Sequence, residues 1–143
     1  MLIYHFGSKQ ELERQLISLL EIRLRERLGS FQSTSFEEVD SLEQPLLAMW
    51  KSLTSSEMRG LMKLTMELNQ RAIKGDVETQ RFLEQESQQW IDSLYKLTHD
   101  QTAALSLFHL FQGAILDFLT TGNAQRGYQT IQAFVKQRQS LDS

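Results

Sequence analysis

Asp100 opens a segment in which apolar side chains fall on nearly every side of a helix: Ala103, Ala104, Leu105, Leu107, Phe108, Leu110, Phe111, Ala114, Ile115, Leu116, Phe118 and Leu119. A helix on the surface of a small domain needs one covered stripe, whereas one that is apolar around most of its circumference needs cover on several sides. Two arrangements meet that need. The segment is either a central helix wrapped entirely by its own chain, or it packs partly on its own chain and partly on a second copy, as in a four-helix bundle between two chains. We expect the second. The interface would draw Leu107, Phe111, Ala114, Ile115 and Phe118 from this segment, and Tyr128, Ile131, Phe134 and Val135 from the helix that follows. Gly113 would let two such helices approach closely.

The rest of the chain is equally helical in character. There is one proline among 143 residues, and no stretch alternates with period two for long enough to make a sheet. Lys9 to Leu28 carries Leu12, Leu16, Leu19, Leu20, Arg23, Leu24 and Arg27 at three- and four-residue steps, an amphipathic stripe that ends at Gly29-Ser30. A short helical turn is expected over Phe36 to Val39. Ser41-Leu42-Glu43-Gln44 has the form of a capping box and Pro45 falls in the first turn after it, where a missing N–H matters least. That helix runs to Leu53, and Thr54-Ser55-Ser56 breaks it. Another covers Glu57 to Lys74 and stops at Gly75, which suits the left-handed position after a helix. Asp76 caps a fourth, with Phe82, Leu83, Trp90, Leu94 and Tyr95. Gly122-Asn123 closes the apolar segment, and a last helix spans Ala124 to Gln139. The expected fold is an all-α helical bundle.

Composition excludes several kinds of chemistry. With no cysteine there are no disulfides, thiolate metal sites or cysteine nucleophiles. The three histidines, His5, His99 and His109, lack metal-ligand spacing, and neither a nucleophile elbow nor a glycine-rich phosphate loop is present. No catalysis, metal or cofactor is expected. No run suggests a membrane span and no signal-peptide pattern is present, so a cytoplasmic location and no membrane partner are expected. The net charge is −3. Residues 1–28 carry five basic and four acidic groups, net +1, which leaves −4 for the remainder. That asymmetry fits an acidic body attached to a more basic reading head.

The first dozen residues carry the most specific pattern. Tyr4-His5-Phe6-Gly7-Ser8-Lys9-Gln10-Glu11-Leu12 places a small-residue turn and an S-x-x-E capping box between a short aromatic segment and a long helix. Tyr4 and Phe6 also suit a simple apolar cover for the first turn of that helix. The pattern resembles the end of the helix-turn-helix in the TetR family of transcriptional regulators, with the aromatic Y-x-H/Y-F run, the small residues, the lysine and the leucine in order. The resemblance covers about nine positions closely and the remainder in architecture alone. It implies that residues 1–8 are a remnant of the DNA-binding helix-turn-helix, and that 9–143 form a TetR-like C-terminal effector-binding and dimerisation domain. Tyr4 and His5 would lie near DNA and Lys9 would reach a backbone phosphate. A cation at a helix start opposes the helix dipole, which by itself points to an anionic partner.

Met58, Met62 and Met66 repeat every four residues, interleaved with Leu61, Leu64 and Leu68. Such a stripe is ordinary core in many helices. It also suits a cavity for apolar ligands, because the thioether side chain refills irregular space. Trp50, Trp90 and Tyr95 from nearby helices would complete the pocket, with Glu67, Gln70, His109 and Gln112 as polar groups. The family resemblance places the effector pocket in this region. The expected function is then a TetR-like regulator: a homodimer whose body binds a small apolar effector and controls operator DNA binding through an N-terminal helix-turn-helix mostly absent from this chain. The alternative is a stand-alone dimeric helical interaction module that does not touch DNA. An open reading frame upstream of Met1 encoding the missing helices would favour the regulator.

Overall fold

The computed structural model describes residues 8–30 and 42–142. Tyr4, His5, Gly7, the turn expected over Phe36 to Val39 and the Ser41 cap lie outside the described residues. Six α-helices follow one another: α1 (Lys9–Ser30), α2 (Glu43–Leu53), α3 (Arg59–Ile73), α4 (Val77–Thr98), α5 (Gln101–Thr121) and α6 (Gln125–Asp142). A 3₁₀ turn, Ser56–Met58, leads into α3, and there is no strand among the described residues. The chain is an all-α bundle, as its sequence predicts.

Local signals set the helix ends. The Glu11 amide donates to Ser8 Oγ at 3.1 Å, which is the first half of the expected capping box. Pro45 lies in the first turn of α2, among the amides that have no acceptor within a helix. At the end of α3, Gly75 takes φ +109°. Its amide bonds Ala72 O at 3.0 Å while the Asp76 amide bonds Arg71 O at 3.1 Å, the paired closure of a Schellman turn. Asp76 then caps α4, with Oδ1 accepting from the Thr79 amide and Oδ2 from the Thr79 hydroxyl at 2.8 Å. Asp100 caps α5 by accepting from the amides of Thr102 and Ala103. Gly122, at φ +79°, ends it.

The helix α4 is central. It packs on α1, α3 and α5, while α5 also touches α3 and α6, and α2 lies on α6. Ile17, Leu46, Leu68, Leu107, Ile131 and Val135 are buried at the centre of this arrangement. Each such aliphatic side chain stabilises the fold by roughly 1.5–3 kcal/mol relative to its exposed state. Trp50 anchors the α2–α5–α6 corner. Its indole N–H donates to Ala124 O at 3.0 Å, and its ring meets Phe111 and Phe118 edge-on.

Two expectations change. The face that α1 turns inward is Ile17, Glu21, Leu24 and Leu28, whereas Leu16 and Leu19, expected in the buried stripe, are about half exposed. Leucines and isoleucines occur on several sides of α1, so its own pattern does not choose a face; packing against α4 does. The second concerns α5, which is long and apolar enough, by length and composition, to cross a membrane. Its polar residues Ser106, His109, Gln112 and Asp117 are too scattered to lower the average.

The same helix corrects part of the expected interface. Leu107, Phe111, Ile131 and Val135 are buried within the chain's own core, because α5 and α6 fold against α4 and α2. A second chain cannot reach them. Ala114, Ile115, Phe118 and Phe134 are half-buried, and Tyr128 is exposed. The outward side of α5 consists instead of Leu105, His109, Gln112, Gly113 and Leu116, of which Leu116 is 54% exposed.

Candidate ligand cavity

A cavity of about 670 Å³ opens among α1, α2, α3, α4 and α5. Its wall is mostly apolar. Leu24 comes from α1, Met49 and Leu53 from α2, Met62, Met66 and Ile73 from α3, Leu83, Trp90 and Leu94 from α4, and Phe108, Phe111, Ile115 and Leu116 from α5. A few neutral polar groups interrupt it: Thr65, Asn69, Gln70, Ser87 and Gln112. A largely apolar enclosure of this size with a handful of polar groups is the usual form of a small-molecule site.

Of the residues predicted for the pocket, Met62, Met66 and Trp90 line it, together with Gln70 and Gln112. Met58 does not; it packs half-buried on the core at the entry to α3. Trp50 is 2% exposed and committed to Ala124, Phe111 and Phe118. Tyr95 is 46% exposed on the outer side of α4, one position past the inward Leu94. His109 lies on the exposed side of α5, stacked edge-on against Phe108, and Glu67 faces solvent. These five departures have one cause. Type and spacing identify a residue suited to a pocket, but the rotation of each helix decides which side of it the pocket meets. Lys9 is exposed at the start of α1.

Two acidic residues that the sequence pattern had not marked also line the cavity. Glu21 of α1 and Glu86 of α4 are both buried to 8% exposure, with Arg25 beside them. Glu86 is well served. Its Oε1 accepts from the Ser18 hydroxyl at 2.8 Å and its Oε2 from Arg25 Nη1 at 3.2 Å, while Arg25 Nη2 donates to Gln89 Oε1 at 2.6 Å. Glu21 is not. No donor forms a hydrogen bond to its buried Oε2, and Arg25 Nη1, already engaged by Glu86, stands 3.8 Å away. Burial, and then the neighbouring Glu86, push the Glu21 carboxyl up to about 8, against the opposing pull of Arg25 and Trp90. Burial acts upward on Glu86 too, but hydrogen bonds from Glu21, Ser18 and Arg25 outweigh it and hold Glu86 below its ordinary value. Burial and the approach of the two carboxyls thus favour the protonated form of Glu21 and the ionised form of Glu86.

A sequence signal for this pair exists. Glu21 falls at the 4-3-4 step of Ile17, Leu24 and Leu28, and Glu86 falls four before Trp90 and eight before Leu94. An acidic residue in register with an apolar stripe marks a buried carboxyl, provided the stripe is the one that packs. The cation–π contact of Arg25 over the Trp90 ring, 5.6 Å from its centre, joins this cluster to the cavity wall. Among the described residues no group of acidic residues and histidines is arranged to hold a metal ion. No known family model, curated protein or solved structure matches this chain.

Proposed function

We propose that this chain is the regulatory body of a TetR-like transcriptional regulator, a cytoplasmic homodimer that binds a small, mainly apolar effector and passes its presence to a DNA-reading head. The observation that carries the reading is the cavity and the position of α1 in its wall. Leu24 and Glu21 of α1 line it directly, and α1 begins at Lys9, within the Tyr4–Leu12 segment on which the family resemblance rests. A ligand in the cavity thus touches the element through which the head would be moved. It can shift the head only if it binds one tilt of α1 better than another. The outward side of α5, with Leu105, Leu116 and the small Gly113, supports a second copy as the dimer partner.

Linkage supplies the test. In a protein carrying this body behind a complete helix-turn-helix, a saturating effector should weaken specific DNA binding by the same factor by which DNA weakens effector binding. Equal effector affinity with and without operator DNA refutes the mechanism. The chain alone should scatter light as a dimer, and a monomer at micromolar concentration refutes the dimer.

A further inference from the structure

We infer that the cavity takes a lipophilic cation, an amine or quaternary ammonium with an apolar body, whose positive centre pairs with the buried carboxyl groups of Glu21 and Glu86 in the cavity wall. This rests on the reading of the cavity as a ligand site and adds the chemical class of the ligand.

Two carboxyl groups and one guanidinium meet beside the apolar cavity: Glu21 and Glu86 line it, and Arg25 stands against both. Arg25 is spent on Glu86 and Gln89. With both carboxyls ionised the cluster lacks one positive charge, and a bare carboxylate in an apolar site is among the costliest groups to bury. With no cation bound, burial and the neighbouring Glu86 carboxyl favour the protonated, neutral form of Glu21.

The geometry then selects the ligand. Glu21 contributes to the cavity wall, and its Oε2 receives no hydrogen bond from the protein. Among the described residues lining the cavity, α2 contributes Met49 and Leu53, α3 the uncharged Thr65, Asn69 and Gln70, α5 the uncharged Gln112, and α4 no ionisable group besides Glu86. An anion would meet two carboxyls and no free cation. A neutral apolar molecule would fill the space but leave the charge deficit to the proton. A lipophilic cation satisfies both the apolar wall and the charge deficit.

Three probes with one tail, octyltrimethylammonium, 1-octanol and octanoate, separate these cases on the 143-residue chain. Titration calorimetry should give affinities in the order cation, alcohol, anion at pH 8, with the cation at least about tenfold ahead of the alcohol. Because one proton is exchanged, cation affinity should rise by up to about tenfold per pH unit between pH 6 and pH 8, while 1-octanol stays level. Calorimetry in buffers of different ionisation enthalpy should show a proton released on cation binding. Glu21→Gln keeps the shape and removes the exchangeable charge; it should abolish the cation's advantage and its pH dependence while 1-octanol still binds. The pH series on the unaltered chain decides the matter even if that variant fails to fold. Binding of 1-octanol with no preference for the cation, or a preference that survives in Glu21→Gln, overturns the cation inference alone. Failure of all three probes to bind overturns the ligand-cavity reading as well.

Discussion

Gly127→Ala sets two effects of opposite sign against each other. Gly127 lies in α6, where alanine is intrinsically better than glycine by roughly 1 kcal/mol. Helix propensity alone therefore predicts a more stable protein. The tertiary structure predicts the reverse. A Cβ at Gly127 would stand 2.7 Å from Cη2 and 3.0 Å from Cε2 of Trp50, and closer still to Cζ2. The indole is a rigid plane and is 2% exposed. It cannot swing aside without stretching its 3.0 Å hydrogen bond to Ala124 O and its edge contacts with Phe111 and Phe118. Overpacking of this kind costs about 1–3 kcal/mol, and the hydrogen bond adds about 1 kcal/mol if it is lost. Set against the propensity gain, the net loss is about 2 kcal/mol, or about 4–8 °C in the melting temperature of a chain this long. Urea denaturation followed by far-ultraviolet circular dichroism measures it, with Gly60→Ala, whose added Cβ meets nothing within 4 Å, as the control that should not destabilise. In a Trp50→Leu background the sign should invert, and Gly127→Ala should stabilise. A single variant Gly127→Ala as stable as the parent or more so would refute the claim that the Trp50 ring occupies the space above this glycine.

Three further outcomes are expected. Glu21 holds its proton in the folded chain up to about 8 but titrates near 4.5 when unfolded. The folded state therefore binds more protons between those values, and stability should fall as pH rises through that range, by at most about 1.4 kcal/mol per pH unit. Glu86, shifted the other way, acts below that window. Urea midpoints of Glu21→Gln should lack this decline, and parallel profiles for the two proteins would contradict the buried, protonated Glu21. His99 ends α4 in the left-handed region at φ 55°, a conformation that glycine adopts without strain, so His99→Gly should raise stability by about 1 kcal/mol in the same denaturation assay. Leu116→Glu changes a side chain that is 54% exposed at the rim of the cavity and on the outward side of α5. It should convert the proposed dimer to monomer in sedimentation or light scattering while far-ultraviolet circular dichroism keeps its helical signature, with thermal stability falling only by what the lost association supplied, and an unchanged dimer would place the interface elsewhere.

The structure that single segments encode is local. Asp76, Asp100, Gly75 and Gly122 act on amides and carbonyls within a few residues of themselves, so their identities place the ends of α3, α4 and α5 without reference to the rest of the chain. Three- and four-residue apolar spacing and the absence of period-two runs gave the helical class for the same reason. The recurrence of methionine on α3 pointed to the region of the cavity, and Met62 and Met66 lie in its wall. Rotation and pairing of the helices were decided only in the tertiary structure. On α1 apolar residues occur on several sides, and only the fit against α4 turns Ile17, Glu21, Leu24 and Leu28 inward and leaves Leu16 and Leu19 outside. On α5, apolar nearly all round, the neighbours α2, α4 and α6 claim Leu107 and Phe111 for the chain's own core and leave Leu116 exposed. The meeting of Glu21 with Glu86, 65 positions along the chain, and of Trp50 with Gly127, 77 along, are consequences of those choices of face. They depend on side-chain shape across distant segments, which no periodicity within one segment encodes.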